Sequence, residues 1–309
     1  MAVSPVSKAT PAQAVQLVAV RSVFAVLERL APAAGGRLAE RIWCAIPRRH
    51  PAGACPPGRR FEVAGSSGRI VAEEWGAGPR NVYLMHGWGG RRTDLGDFVA
   101  PLVDAGFRVV ALDAPGHGDS DPGPFGAGRG LLTDLIGALG AVVADCGPAY
   151  AVVAHSLGGC ATGVAVADGL ATERLVTIGA PSELEPHIAV FARTLGMGPR
   201  CLARFRTGLE ERLGRPMTDF TLPARFADRA PDTLPATLLI HDHHDREVPY
   251  TEALTLQRAL PDVRLIGTTG YGHRRILRRP EVVGRVLDFL TESRDQQPAS
   301  PGRHADSSP

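Results

Sequence analysis

From residue 82 onward the apolar positions come in short runs, separated by turn-forming residues and by longer stretches with helical spacing. The runs are Val82–Met85, Arg108–Leu112, Tyr150–Ala154, Leu175–Ile178, Thr237–Ile240 and Val263–Ile266, most of them rich in Val, Ile and Leu at successive positions. Runs that are apolar on both faces predict strands of a parallel sheet covered by helices. Helical patterns fall between them, near 93–105, 128–145, 157–169, 250–260 and 280–292. That alternation predicts an α/β fold with a doubly wound, mostly parallel sheet. Ahead of it, Phe61–Val63 and Arg69–Trp75, turned at Gly65-Ser66-Ser67-Gly68, predict a hairpin that opens the sheet.

Two stretches depart from the rhythm. Residues 12–30 have helical period, with Val20, Val23, Leu27 and Leu30 on one face and Arg21, Ser22, Glu28 and Arg29 on the other. Pro32 and Gly35-Gly36 end that helix, and a shorter one follows over Arg37–Ile46 with Leu38, Ile42 and Ala45 as its stripe. The pair reads as an arm packed on the main domain. A second reading, not favoured, is contact with a membrane or a twin subunit. The other departure lies between Pro181 and Pro235, where Ile188–Leu195 and Cys201–Leu213 are helical and no strand is convincing. The resulting plan is an arm and linker over 1–59, a core over 60–181 and 235–293, a helical cap over 182–234, and a tail over 294–309. The tail, and residues 1–10, are polar or Pro- and Ser-rich and are expected to be disordered.

Composition narrows the class without naming a function. With 309 residues, 44% apolar and 21% charged, the chain can bury a large core. A net charge of +2 gives no strong attraction to nucleic acid. The five cysteines, at 44, 55, 146, 160 and 201, are odd in number and widely spaced, which predicts reduced, structural thiols and no metal site. Residues 11–30 are the longest apolar stretch, and Gln13, Gln16, Arg21, Glu28 and Arg29 interrupt it. No bilayer span and no secretory leader is expected, so the expected location is cytoplasmic.

The chemistry is sought where an open α/β sheet binds ligands, beyond the carboxyl ends of its strands. One strand runs into His155-Ser156-Leu157-Gly158-Gly159, a strand, a sharp turn and a helix with Ser156 at the apex. Serine needs a base within hydrogen-bond reach, and the base needs an orienting carboxylate. His273 is the candidate base and Asp245 the candidate carboxylate, with Asp242 as its rival. Two backbone N–H groups, of Leu157 after the serine and of Trp88 in the loop His86-Gly87-Trp88-Gly89-Gly90, are candidates for an oxyanion hole. His86, Gly87 and His155 are candidates for contact with substrate. His86 also reads as a shaper of its loop, and His155 as a lining or support of the pocket. Asp113 and His117 read as supports of the turn after their strand. His187, in the cap, faces either solvent or substrate.

Taken together these segments resemble those of the α/β-hydrolase-fold serine hydrolases, over roughly residues 60–292. The resemblance is carried by His-Gly-x-Gly-Gly (86–90), Asp-x-Pro-Gly-His-Gly-x-Ser (113–120), His-Ser-x-Gly-Gly (155–159), Asp-x-x-Val-Pro (245–249) and Gly-His (272–273), in the family's order. It implies Ser156 as nucleophile, His273 as base, Asp245 as acid, Trp88 and Leu157 as oxyanion donors, and 182–234 as a cap. Two departures stand out: Ala154 replaces the usual glycine of the elbow, and Asp242 stands where glycine is common. The implied activity is hydrolysis of a small acyl substrate, an ester first, with no cofactor. A serine nucleophile argues against dehalogenase and epoxide hydrolase chemistry. A catalytically silent binding fold is the alternative, and the oligomeric state is open. Phe191, Leu195, Met197, Leu202 and Phe205 in the cap suggest an apolar acyl group.

Overall fold

The computed structural model describes residues 11–47 and 55–292. The expected disordered ends at 1–10 and 294–309, and much of the 47–60 linker, lie outside them. Eight strands form one sheet: β1 (Arg59–Gly65), β2 (Gly68–Trp75), β3 (Asn81–Met85), β4 (Arg108–Leu112), β5 (Ala149–His155), β6 (Thr172–Ile178), β7 (Ala236–Asp242) and β8 (Val263–Thr268). Their order is β1-β2-β4-β3-β5-β6-β7-β8. The first two form the predicted hairpin, β2 meets β4 antiparallel, and the remaining pairings are parallel.

Alternate residues of the same strands feed two separate apolar layers. Tyr83, Met85, Val110, Leu112, Val152 and Ala154 face one layer. Val82, Leu84, Val109, Ala111, Ala151 and Val153 face the other. This period-2 division explains why the central strands read as continuous apolar runs. Helices α4 (Leu132–Cys146), α5 (Leu157–Ala167) and α9 (Tyr250–Ala259) supply the first layer. Helices α3 (Val99–Asp104) and α11 (Pro280–Thr291) supply the second.

Two predicted helices differ in detail. The pattern over 93–105 divides into a 3-10 segment, Arg92–Phe98, and α3. The one over 128–145 begins only at Leu132, because Gly126 and Gly128 take positive φ and Arg129 pairs with Ala45 in an isolated bridge.

Between β6 and β7 lie α6 (Glu185–Leu195), α7 (Pro199–Leu213) and α8 (Leu222–Ala227), with short 3-10 turns and no strand. The arm consists of α1 (Pro11–Leu30) and α2 (Pro32–Trp43), and it packs on α6 and α7 rather than on the sheet. Gly35 and Gly36 do not end a helix, as expected, but lie buried inside α2. A Cβ on Gly36 would stand 2.7 Å from Arg204 Cβ and 2.9 Å from the Phe205 nitrogen, so the two glycines let α2 approach α7 backbone to backbone. The α1 stripe is also corrected. Phe24 is fully buried, whereas Val23 and Leu30 are 46% and 80% exposed. Both faces of α1 carry apolar residues, so period alone does not say which one docks. Burying Phe24 contributes about 2 kcal/mol. Glu28 ties α1 to the start of α7, accepting hydrogen bonds from the backbone N–H groups of Arg200 and Cys201, both at 2.8 Å. Desolvation opposes the charge of Glu28, but those bonds outweigh it and hold the carboxyl below its ordinary range.

Candidate active site

Ser156 sits between β5 and α5 with φ 53° and ψ −128°. It is the only non-glycine residue with positive φ among those described. Such a conformation costs roughly 1–3 kcal/mol and persists only where the surroundings enforce it. Here the Ser156 N–H donates to the Ile178 carbonyl (2.9 Å), and its own carbonyl accepts from Gly159 (2.8 Å). Small neighbours make the turn sterically feasible. A Cβ on Gly158 would lie 2.2 Å from the His86 oxygen, and one on Gly159 would lie 2.5 Å from Ala180 Cβ. Ala154 needs no such relief: it is a buried β5 residue paired with Met85 and Thr177, which explains why alanine serves at the elbow's first position.

The Ser156 Oγ is 2.8 Å from His273 Nε2, and His273 Nδ1 is 2.7 Å from Asp245 Oδ2. The other oxygen of Asp245 accepts the N–H groups of Glu247 (2.8 Å) and Val248 (2.9 Å). Burial works against the Asp245 charge, yet the bond to His273 and these N–H groups hold its carboxyl below the usual range. Asp242, the rival, is engaged elsewhere. It accepts from the His244 N–H, the Thr268 hydroxyl and the Tyr271 N–H, each at 2.9 Å, and so fixes the loop that delivers His273. The histidines beside it have partners of their own. His241 bonds the Val248 carbonyl at 2.9 Å, and His243 stacks on Tyr250 with ring centres 3.9 Å apart.

The loop after β3 passes against the serine, where a Cβ on Gly87 would stand 2.8 Å from Ser156 Cβ. His86 is fully buried behind it. Its Nε2 accepts from the Ala114 N–H (3.0 Å), so Nδ1 carries the proton and donates to the Gly87 carbonyl (2.7 Å). His86 therefore shapes the loop and does not line the pocket. His155 lines the pocket and donates from Nε2 to the His273 carbonyl at 2.9 Å. Burial, reinforced by His273, pushes its pKa down to about 3, so it is neutral at working pH. Asp113 holds the turn after β4, bonded to the Arg92 and Asp119 N–H groups and to the Arg92 guanidinium.

Residues 82–286 match the model of the alpha/beta hydrolase family. The chain belongs to that family. A segment of 63 residues is 44% identical to the 2-hydroxy-6-oxononadienedioate/2-hydroxy-6-oxononatrienedioate hydrolase of Escherichia coli K12, covering 19% of this chain and 22% of that one. The chain thus matches only about a fifth of that relative's length. Its structure resembles a bacterial membrane phospholipase A (TM-score 0.57, 20% identity, 91% of this chain and 99% of the other). It also resembles an esterase from Rhodococcus sp. ECU1013 (TM-score 0.55, 18% identity, 75% and 98%). At such identities these two likenesses concern the fold.

In this α/β-hydrolase family member a cavity of about 380 Å³ opens over Ser156, bordered by Gly87, Trp88, Leu157 and His273. Leu157 opens α5, so its N–H has no intrahelical partner. The apolar wall differs from expectation. Leu184, Leu209 and Leu213 line it, together with Trp43 and Pro47 of the arm. Phe191 and Phe205 lie behind, packed edge-on against Trp43 at 5.1 and 6.0 Å. The Trp88 indole donates to the Ala45 carbonyl (3.1 Å), joining the loop after β3 to the arm. His187 lines the pocket, and its buried Nε2 has no hydrogen-bond partner. Charged residues also border it. Among them, Glu247 is bound by Arg274 at 3.2 Å, and its carboxylate is 4.0 Å from His273 Nε2. The arm's share in the pocket had one signal in the sequence, the aromatic Trp43 at the end of an apolar stripe.

Proposed function

We propose that the chain is a serine hydrolase that cleaves a carboxylic ester through an acyl-enzyme on Ser156. The observation that supports this most is the unbroken hydrogen-bonded line from Ser156 Oγ through His273 to Asp245, at 2.8 and 2.7 Å, on the floor of a pocket. In this reading His273 Nε2 takes the Ser156 proton as Oγ attacks the carbonyl carbon. The N–H groups of Trp88 and Leu157 meet the oxyanion, a contribution of about 3 kcal/mol per donor in comparable sites. His273 then gives the proton to the departing alcohol. Water, activated by the same imidazole, releases the acid and restores the serine. Asp245, held ionised, keeps the His273 proton on Nδ1. Helices α6 and α7 act as the cap, and with Trp43 they favour an apolar acyl chain.

The test is hydrolysis of p-nitrophenyl esters from acetate to palmitate by the wild type and Ser156→Ala, with fluorophosphonate labelling alongside. The expected outcome is turnover with a chain-length optimum, and a loss of at least about a thousandfold in the variant. A variant as active as the wild type would sink the mechanism. Absence of both turnover and labelling would leave a silent binding fold. The Escherichia coli relative motivates a second substrate, 2-hydroxy-6-oxononadienedioate, assayed beside the esters. Serine-dependent loss of that compound with inert esters would move the reading to oxo-dienoic acids.

A further inference from the structure

A second cavity, of about 510 Å³, lies between α2, the loop 124–129 and α7. It shares its walls with the pocket over Ser156. On α2, Arg37 and Arg41 border this cavity and Trp43 the other. On α7, Arg212 borders this cavity, and Leu209 and Leu213 the other.

Four arginines line it, Arg37, Arg41, Arg129 and Arg212, against one acid, Glu40. Glu40 is already committed, since it is buried and accepts from Arg212 Nε at 2.7 Å. Arg212 is further fixed by the Phe125 ring, 4.1 Å from its guanidinium carbon. No ion pair or side-chain hydrogen bond joins Arg37, Arg41 or Arg129 to any other described residue. Arg37 and Arg41 stand one helical turn apart, an arrangement of like charges that weakens a helix unless an anion lies between them. Planar guanidinium forks match the oxygens of phosphate. A phosphomonoester carries close to two negative charges and three acceptor oxygens, which suits three unneutralised arginines better than a single carboxylate does. The cavity also offers Ala34, Leu38 and Phe125 as an apolar floor for an organic group.

We propose that this cavity binds a phosphomonoester, its phosphate held by Arg37, Arg41 and Arg129 beside the fixed Arg212. A ligand there ties the arm, the loop and α7 together. The phosphate belongs either to a soluble molecule or to a lipid headgroup, and the test separates them.

Glycerol 3-phosphate is titrated calorimetrically into the full chain, and flotation is measured with phosphatidylcholine vesicles with and without phosphatidic acid. The variants are Arg37→Gln/Arg41→Gln and, on a different element, Arg129→Gln. The control with equal charge loss is Arg258→Gln/Arg285→Gln on α9 and α11. Saturable binding of glycerol 3-phosphate alone supports a soluble ligand, and recruitment to phosphatidic acid vesicles supports the headgroup. In either case each site variant weakens binding by about tenfold or more, and the control leaves it unchanged. Absence of saturable binding in both arms overturns the proposal. So does equal weakening by the control, or undiminished binding by both site variants. Thermal melts without ligand check that the variants fold.

Discussion

The two sides of the pocket over Ser156 are built on different principles. The floor is made by strand ends: Ser156 after β5, Asp245 after β7, His273 after β8 and the Gly87 loop after β3. The floor is held by hydrogen bonds to backbone groups near the strand ends, such as the two N–H groups on Asp245 and the Ile178 carbonyl on Ser156. The roof is made by helices distant in sequence, α2 with α7 and α1 with α6 and α7. Its placement rests on glycines without side chains, one carboxylate at a helix start, and an indole reaching a carbonyl. A floor of this kind sets the chemistry, and a roof of this kind sets what fits and how firmly it closes.

The largest expected effect separates the two carboxylates of the floor. Asp245→Asn leaves the geometry but upsets the proton on His273, and turnover of the best substrate found should fall by about 10,000-fold. Asp242→Asn loosens the His273 loop and should cost far less in kcat, with a lower melting temperature. Equal losses would mean that the two acids share one role.

Next comes the roof. Gly36→Val should drive α2 from α7, with a destabilisation of about 1–3 kcal/mol. Because Trp43 and Pro47 leave with it, KM should rise more than kcat falls. Hydrogen exchange should show α1 and α2 opening ahead of β5. An unchanged KM would remove the arm from the pocket wall.

The third prediction concerns pH. His155 is depressed to about 3 in the folded chain, against about 6.5 unfolded. Below 6.5 the unfolded chain binds the extra proton, so this contribution is complete above pH 6.5 and shrinks as pH falls toward 3. Chemical denaturation between pH 7 and pH 4 should show a loss of a few kcal/mol, and His155→Gln should flatten that slope. A variant with the same slope would assign the acid sensitivity to other groups.

The smallest effect is expected at Glu28→Gln, which weakens the cap on α7 by about 1 kcal/mol. Melting should shift slightly and kcat should stay the same. A drop in kcat would mean that arm and floor are coupled more tightly than their construction suggests.

The positions of the strands along the chain and the elbow at Ser156 were legible in the sequence because each depends on local pattern, whereas the choice of Asp245 over Asp242 rested on the family spacing. Strand runs, small residues at a tight turn and polar residues just past a strand keep their meaning without knowledge of distant contacts. The resemblance of five short segments, in order, carried the rest of the floor. What the tertiary structure alone decided was how helices far apart in the chain meet. It turned Gly35 and Gly36 from helix breakers into a packing surface, and it chose Phe24 over Val23 and Leu30 as the buried side of α1. It also moved the apolar lining from Phe191 and Phe205 to Leu184, Leu209 and Trp43. The physical reason is that helical period fixes which residues share a face, whereas the neighbour that covers that face is fixed by packing between segments that the sequence does not place side by side.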